Sequence, residues 1–421
     1  MIGGPKFLFN LFSLFPKESY VVLTAGNAID PTTAVAGSWL PGKYVFFDRK
    51  DGGPLPGDAS SVGEGSRIPF RTRVSLLIRR IPFLGEGLLD ALYLVRNLPN
   101  VLRSARKVIR EEGITHLLGI SDTGLALFGT YLAHRLTGLP YSVYLFDLYR
   151  GNRLTFLPRA IATFLEPRLI RGAQTVIVTN DATGEYLLRR YGKTFPLEIV
   201  YNSAFPEDFE NLRTSPPKDP PYKILFTGNV YWAQERSVMN MIRAMDLLRD
   251  LPVELDLYCP LCTESIRSAA RARRNVRLTS APQAEMPRVQ CEASLLFLPL
   301  AWGTSAHDII ATASPGKLTD YLASGRPMLV HAPEDSFVAR YSRNHQVGIV
   351  VDRNDVEELA AAVRKFFRDP ASGSRYIENA LHLFETRHDA RRNARHLWKI
   401  LMEPAEDRSG GTDEELRVFP R

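Results

Sequence analysis

The chain has 421 residues, 45% of them hydrophobic and 24% charged, values that exclude a disordered chain, a collagen-like repeat and a disulfide scaffold. Its 53 basic and 46 acidic residues leave a formal net charge of +7, too small an excess for a protein that coats nucleic acid. Three cysteines, Cys259, Cys262 and Cys291, form an odd and sparse set that suits a reducing, cytoplasmic compartment, and no run reaches the ~18–20 apolar residues of a membrane span.

In chain order, Gly3-Gly4 lead into Lys6 and the aromatic run 7–15. Asn10 and Ser13 interrupt what would otherwise be a signal core, so the run predicts an amphipathic first helix. Strand-like runs follow at 20–24, 44–47, 115–120, 141–146, 175–179 and 197–201, separated by helical segments such as 124–137, 157–172 and 182–191. This alternation predicts a parallel sheet covered by helices on both faces. Residues 67–110 carry ten arginines and lysines against Glu86 and Asp90, interleaved with apolar clusters. Such a segment suits an anionic membrane surface, or simply a solvated helix face. Four prolines between 211 and 221 mark a linker. The pattern then restarts at 223–227, 253–258, 276–278, 293–298, 327–331 and 348–351. The resulting division is 1–205 as an N-terminal domain, 206–221 as linker, 222–385 as a second domain, 386–402 as a closing helix and 403–421 as a disordered tail. In doubly wound sheets ligands bind at the carboxyl ends of the strands.

The most informative run is Ser314-Pro-Gly-Lys-Leu-Thr-Asp-Tyr-Leu-Ala-Ser-Gly-Arg-Pro. Ser314 suits a helix N-cap and Pro315 the first helical position. Gly316 lets another group approach the backbone, and the open N–H groups of this turn suit an anion. Lys317 adds a positive charge. Asp320, three residues on, shares its helical face and suits paired ribose hydroxyls. Read alone, the same residues equally make an ordinary capped helix with a surface Lys–Asp pair.

This run resembles the donor-binding signature of the GT-B glycosyltransferases, in particular glycosyltransferase family 4, of the form Ser-Pro-x-Lys-Leu-x-Glu-Tyr-x-Ala-x-Gly-x-Pro. Segments 165–179, 198–202 with Phe209, 223–229 and 352–369 are similar to further family elements, in the family's order. The resemblance implies an α/β protein of two Rossmann-like, doubly wound parallel-sheet domains facing a cleft. It implies transfer of a sugar from a nucleotide-sugar donor to a hydroxyl acceptor, with retention at the anomeric carbon. The second domain binds the donor and the first presents the acceptor, a lipid-linked or polysaccharide glycan at the cytoplasmic face of a membrane. By the resemblance, Gly228, Ser314, Pro315, Gly316, Lys317 and Asp320 bind the donor.

Several positions depart from the family pattern. Thr312 replaces the first of two glutamates with seven residues between them, so His307 or Asp308 is a candidate substitute contact to the sugar, or part of a plain rim loop. Asn229 and Gln234 stand where the family places cations on the diphosphate, which leaves Arg236 as the candidate replacement. Family members enter the Gly-Gly loop from a strand, so a chain beginning at Met1-Ile-Gly-Gly has either a start placed too late or a sheet lacking that strand. Gly3 and Gly4 then open a helix on the acceptor side. Asp147 ends a strand and is the candidate to orient or deprotonate the acceptor hydroxyl, or else caps its loop; Asp122 is a weaker candidate of the same kind. Cys259 and Cys262 lack the partner pair of a zinc or redox site. No Asp-x-Asp motif is present, so the diphosphate is expected to be held without a metal, and no cofactor beyond the nucleotide sugar is expected. An epimerase of the same fold and a degenerate, non-catalytic binding or scaffold protein are the alternatives.

Overall fold

The computed structural model describes residues 3–25, 40–48, 85–121, 124–152, 156–217 and 219–403. Their contacts divide them into two units: one takes in the described residues of Leu11–Thr179, Gly184–Val200 and Ala394–Arg421, the other those of Met1–Asn10, Asn180–Thr183 and Tyr201–Asn393.

The chain opens with α1 (Gly3–Phe12). In the first unit, β1 (Val21–Thr24) and β2 (Lys43–Phe46) pair in parallel. α2 (Gly85–Glu112), β3 (Leu117–Ile120), α3 (Leu125–Thr137), β4 (Tyr141–Leu145), α4 (Phe156–Gly172), β5 (Thr175–Val178), α5 (Asp181–Tyr191) and β6 (Leu197–Ile199) follow. Strands β3 to β6 form a parallel sheet in chain order. Every residue of β4 and β5 is buried, as near-continuous apolar runs require when both faces are covered. Val143, Leu145, Val176 and Val178 pack with Leu165 and Leu169 of α4 and Leu187 of α5. α2 turns Leu94, Asn97, Val101, Ala105 and Val108 inward, a stripe recurring every three or four residues. Where the sequence suggested a single first-half sheet, the described strands form two, β1–β2 and β3–β6. Among the described residues no strand is hydrogen-bonded to both β2 and β3.

The second unit contains β7 (Tyr222–Thr227), α6 (Glu235–Leu247), β8 (Val253–Tyr258), β9 (Val276–Thr279), β10 (Leu295–Pro299), α7 (His307–Thr312), α8 (Gly316–Ala323), β11 (Met328–His331), α9 (Phe337–Asn344), β12 (Ile349–Val351) and α10 (Val356–Arg368). All strands are parallel, in the order β9-β8-β7-β10-β11-β12. Alternate side chains of one strand serve opposite cores. Ile224 and Phe226 face Val238, Met241 and Met245 of α6 with Leu359 and Val363 of α10. Leu225 faces the core built around Leu318, Tyr321 and Leu322 of α8.

The segment read as a linker carries one helical turn, Glu207–Glu210, whose Phe209 is buried in this unit's core. A π-helical turn, Phe384–His388, precedes the last described helix, α11 (Ala390–Met402). In the first unit, Trp398 of α11 meets Phe15 edge-on, ring centroids 5.0 Å apart. The expected tail beyond Glu403 lies outside the described residues.

Candidate functional site

In the six-stranded sheet the chain winds outward in one direction from β7 and in the other from β10, so β7 and β10 flank the topological switch point. In open sheets of this kind ligands bind at such a point, beyond the carboxyl ends of the strands. Gly228 turns the chain off β7 with φ +109°, a conformation open to glycine at little cost, and its N–H donates to Tyr258 O at 2.9 Å. Lys317 lies alongside this turn, its Nζ 3.6 Å from where a Cβ on Gly228 would stand. The ammonium stands 4.1 Å from the centroid of the Phe226 ring.

Burial pulls Lys317 down from 10.5 to about 7, with the Cys259 thiol opposing slightly. Burial in turn pushes that thiol up to about 11. Both effects follow from the cost of holding charge away from water.

α8 is tied to its surroundings on two sides. Thr227 N donates to Tyr321 Oη at 3.0 Å. Thr319 Oγ1 donates to Asn202 O at 3.0 Å, and Asn202 Nδ2 donates to Ser314 O at 3.0 Å. His388, pulled to about 4 by burial, also donates from Nδ1 to Asn202 O at 2.8 Å and meets Tyr341 Oη at 2.9 Å. The turn that carries Lys317 is therefore rigidly based.

The helix starts one residue later than its motif suggests. Pro315 has ψ 134° and is itself the N-cap, with Gly316 first in the helix. Ser314 thus offers α8 no side-chain cap. Leu318 N donates to Pro315 O at 2.9 Å, which leaves the N–H groups of Gly316 and Lys317 as the open donors of the turn. Gly316 is needed for space: an added Cβ would stand 2.6 Å from the Phe7 ring of α1. Gly316→Ala is expected to cost about 1–3 kcal/mol through overpacking, read as a lowered denaturation midpoint.

Lys317 and Asp320 do not pair. Lys317 reaches towards β7, whereas Asp320 accepts from Lys6 Nζ at 2.8 Å on each carboxylate oxygen. Thr312 is buried, and its hydroxyl donates to Asp308 O at 2.7 Å, inside its own helix. Its carbonyl accepts from Asn180 Nδ2 at 3.0 Å. His307 is exposed and meets Asp335 at 2.8 Å. Gln234 is buried at the N-cap of α6 with its Oε1 unpaired. Asn229 is half-buried in the turn after Gly228. Arg236 lines a cavity of about 640 Å³ with Trp232, Asn240, Trp302 and Asn354. Its Nη1 lies 3.3 Å from an added Cβ on Gly303.

In the other unit, Asp147 is exposed in the turn after β4, and the surrounding protein pushes its carboxyl upward by desolvation. That turn is anchored by the buried Glu166, which accepts from Arg150 N at 2.6 Å and from the Tyr191 hydroxyl. Asp122 lies outside the described residues. Gly3 and Gly4 open α1, and the described residues up to Asn10 group with the Tyr201–Asn393 unit. Of the basic stretch 67–110, residues 67–84 lie outside the described set. α2 leaves Leu92, Tyr93 and Val95 exposed beside Arg96. Among the described residues, no helix is long and apolar enough to cross a membrane, and no cluster of three potential metal ligands occurs.

Residues 221–369 match the family described as Glycosyl transferases group 1. No curated protein sequence matches the chain. Among solved structures, it is similar to sucrose-phosphate synthase from Thermosynechococcus elongatus, with TM-score 0.58 and 14% identity, covering 73% of this chain and 78% of that one. It is also similar to a glycosyltransferase from Rickettsia africae ESF-5, with TM-score 0.57 and 12% identity over 74% and 82% of the two chains. A third is Anabaena Alr3699/HepE in complex with UDP, with TM-score 0.56 and 13% identity over 72% and 81%.

Proposed function

We infer the reaction from one premise: residues 221–369 are a group 1 glycosyltransferase domain, in a chain of GT-B fold. On it we propose a nucleotide-sugar-dependent transferase that moves a sugar, with retention, to a hydroxyl of a lipid-linked or polysaccharide glycan. The observation that carries the reading is Lys317, delivered by the first turn of α8 to the Gly228 turn at the switch point of the sheet. A diphosphate seated there receives the Gly316 and Lys317 N–H groups and the ammonium. These donors stabilise charge that grows on the leaving diphosphate as the glycosidic bond breaks. Asp320 is proposed to accept from the ribose hydroxyls.

Asp147 is proposed to orient the acceptor hydroxyl or take its proton. The exposed Leu92, Tyr93 and Val95 with Arg96 support peripheral contact with an anionic, cytoplasmic-face membrane through 67–110. The diphosphate is proposed to bind without a metal, with a chelator control as its check.

A panel of UDP-, GDP-, ADP- and dTDP-sugars in a thermal-shift assay tests the reading, with UDP first because the Anabaena protein binds it. One nucleotide class is expected to stabilise the protein. Turnover with that donor is then expected to fall about a hundredfold or more in Asp147→Asn, with donor binding unchanged. Stabilisation by no nucleotide, in folded protein, overturns the reading. Donor binding without turnover favours a degenerate binding protein, the second reading supported by Thr312, whose hydroxyl is spent on Asp308 O.

A further inference from the structure

The donor turn is met by a second cation that belongs to no motif. α1 lies across the start of α8: the Phe7 ring covers Gly316, and Asn10 Nδ2 donates to Ser203 O at 2.7 Å. On the same helix, Lys6 Nζ reaches both oxygens of Asp320 at 2.8 Å. The Lys6 and Asp320 side chains are 24% and 11% exposed, so this pair is largely withdrawn from solvent and screened less than a surface pair. Asp208, whose carboxyl is pushed up chiefly by burial, feels the same ammonium.

The charges of the site make this placement informative. Asn229 and Gln234 are neutral, Arg236 turns towards Gly303 and Trp302, and burial disfavours the charged form of Lys317. A diphosphate carries more negative charge than one such ammonium and two N–H dipoles offset. Lys6 meets Asp320 one turn into the same helix, and its neighbour Phe7 covers the helix start. A carboxylate has about four lone-pair positions, so Asp320 retains acceptor capacity for ribose hydroxyls while it touches an ammonium.

We propose that Lys6 is a second phosphate-binding residue of the donor site, held on Asp320 in the free protein and shared between Asp320 and the diphosphate once donor binds. The proposal rests on the donor-site reading above. It goes beyond it by assigning to α1 the positive charge missing after Gly228.

The sign of one substitution separates this role from its rivals. If Lys6 only blocked Asp320, its removal would tighten nucleotide binding. If it only braced the fold, its removal would weaken a nucleoside and its diphosphate alike. Calorimetric titration of wild type, Lys6→Met, Lys6→Arg and Lys317→Met with uridine, UMP and UDP, or the matching series of the base selected by the panel, reads the difference. The expected result for Lys6→Met is a loss of roughly tenfold for the diphosphate, less for the monophosphate and little for the nucleoside, with a shallower salt dependence. Lys6→Arg keeps the charge and is expected to keep most of the affinity.

Tighter diphosphate binding in Lys6→Met overturns the proposal, and so does an equal loss for nucleoside and diphosphate. Diphosphate binding lost in Lys317→Met but unchanged in Lys6→Met sinks the role of Lys6 and leaves the donor site standing. Wild type that binds no diphosphate sinks both.

Discussion

Lys317→Met is expected to weaken binding of the donor nucleotide and, in the same protein, to raise the temperature of unfolding. Charge-assisted hydrogen bonds are worth about 1.5–3 kcal/mol, so losing the ammonium should cost roughly ten- to a hundredfold in dissociation constant. The stability gain has a separate origin. The fall from 10.5 to about 7 means that folding takes this ammonium into a place where charge is costly. Met keeps most of the length of the side chain, packs against Phe226 and carries no charge to desolvate. Each kcal/mol recovered should raise the midpoint by about 2–4 °C in a unit of this size. Scanning calorimetry with and without nucleotide reads both effects. A destabilised variant that binds nucleotide as well as wild type would show Lys317 to be a packing residue. A functional site held at a cost to the fold predicts the opposite pair of signs.

The strands of this protein were legible in its sequence because a parallel sheet buried on both faces writes itself as short apolar runs. Residues 253–258 coincide with β8, and the other eleven described strands fall within about two residues of their predicted bounds. The turn at Gly228 follows from a local motif, so it too could be anticipated, whereas the approach of Lys317 to it joins residues far apart in the chain. The start of α8 was misread by one residue because Pro315 satisfies the φ of a first helical residue and of an N-cap alike, and only its ψ of 134° decides between them. The face shared by Lys317 and Asp320 does not make them the ion pair that the plain capped-helix alternative would have. Three residues of separation bring two side chains to one side of a helix, yet the long Lys side chain bends to β7 while Asp320 meets Lys6. Lys6 left no sequence signal, because its partner is 314 positions away. Arg236 illustrates the same limit: its place after the glycine turn suggested phosphate, but α6 aims it at Gly303 and Trp302. The division between β2 and β3 depends on pairing across the sheet, which a list of strands does not contain.

Donor affinity is expected to be flat below about pH 7 and to fall above it, by at most about tenfold per pH unit. The free Lys317 ammonium titrates at about 7, and a bound diphosphate beside it favours the charged form and raises that value. Below the free value the group is protonated before and after binding, so it contributes no slope. Above it, each binding event must draw a proton from solvent until the pH reaches the raised value of the complex. Titration calorimetry in buffers of different ionisation enthalpy should therefore detect uptake approaching one proton between about pH 8 and about pH 9. His331 and His388, both pulled to about 4 by burial, and the Cys259 thiol, pushed to about 11, are silent in that window. Lys317→Met should abolish both the slope and the uptake. The same group leaves a mark on folding with its own sign. Between about 7 and 10.5 the unfolded chain holds a proton on Lys317 that the folded chain has released, so this group's contribution to stability rises with pH across that interval. Donor binding and fold stability should thus respond to alkali in opposite directions through one side chain. A slope that persists in Lys317→Met would place the titrating group elsewhere.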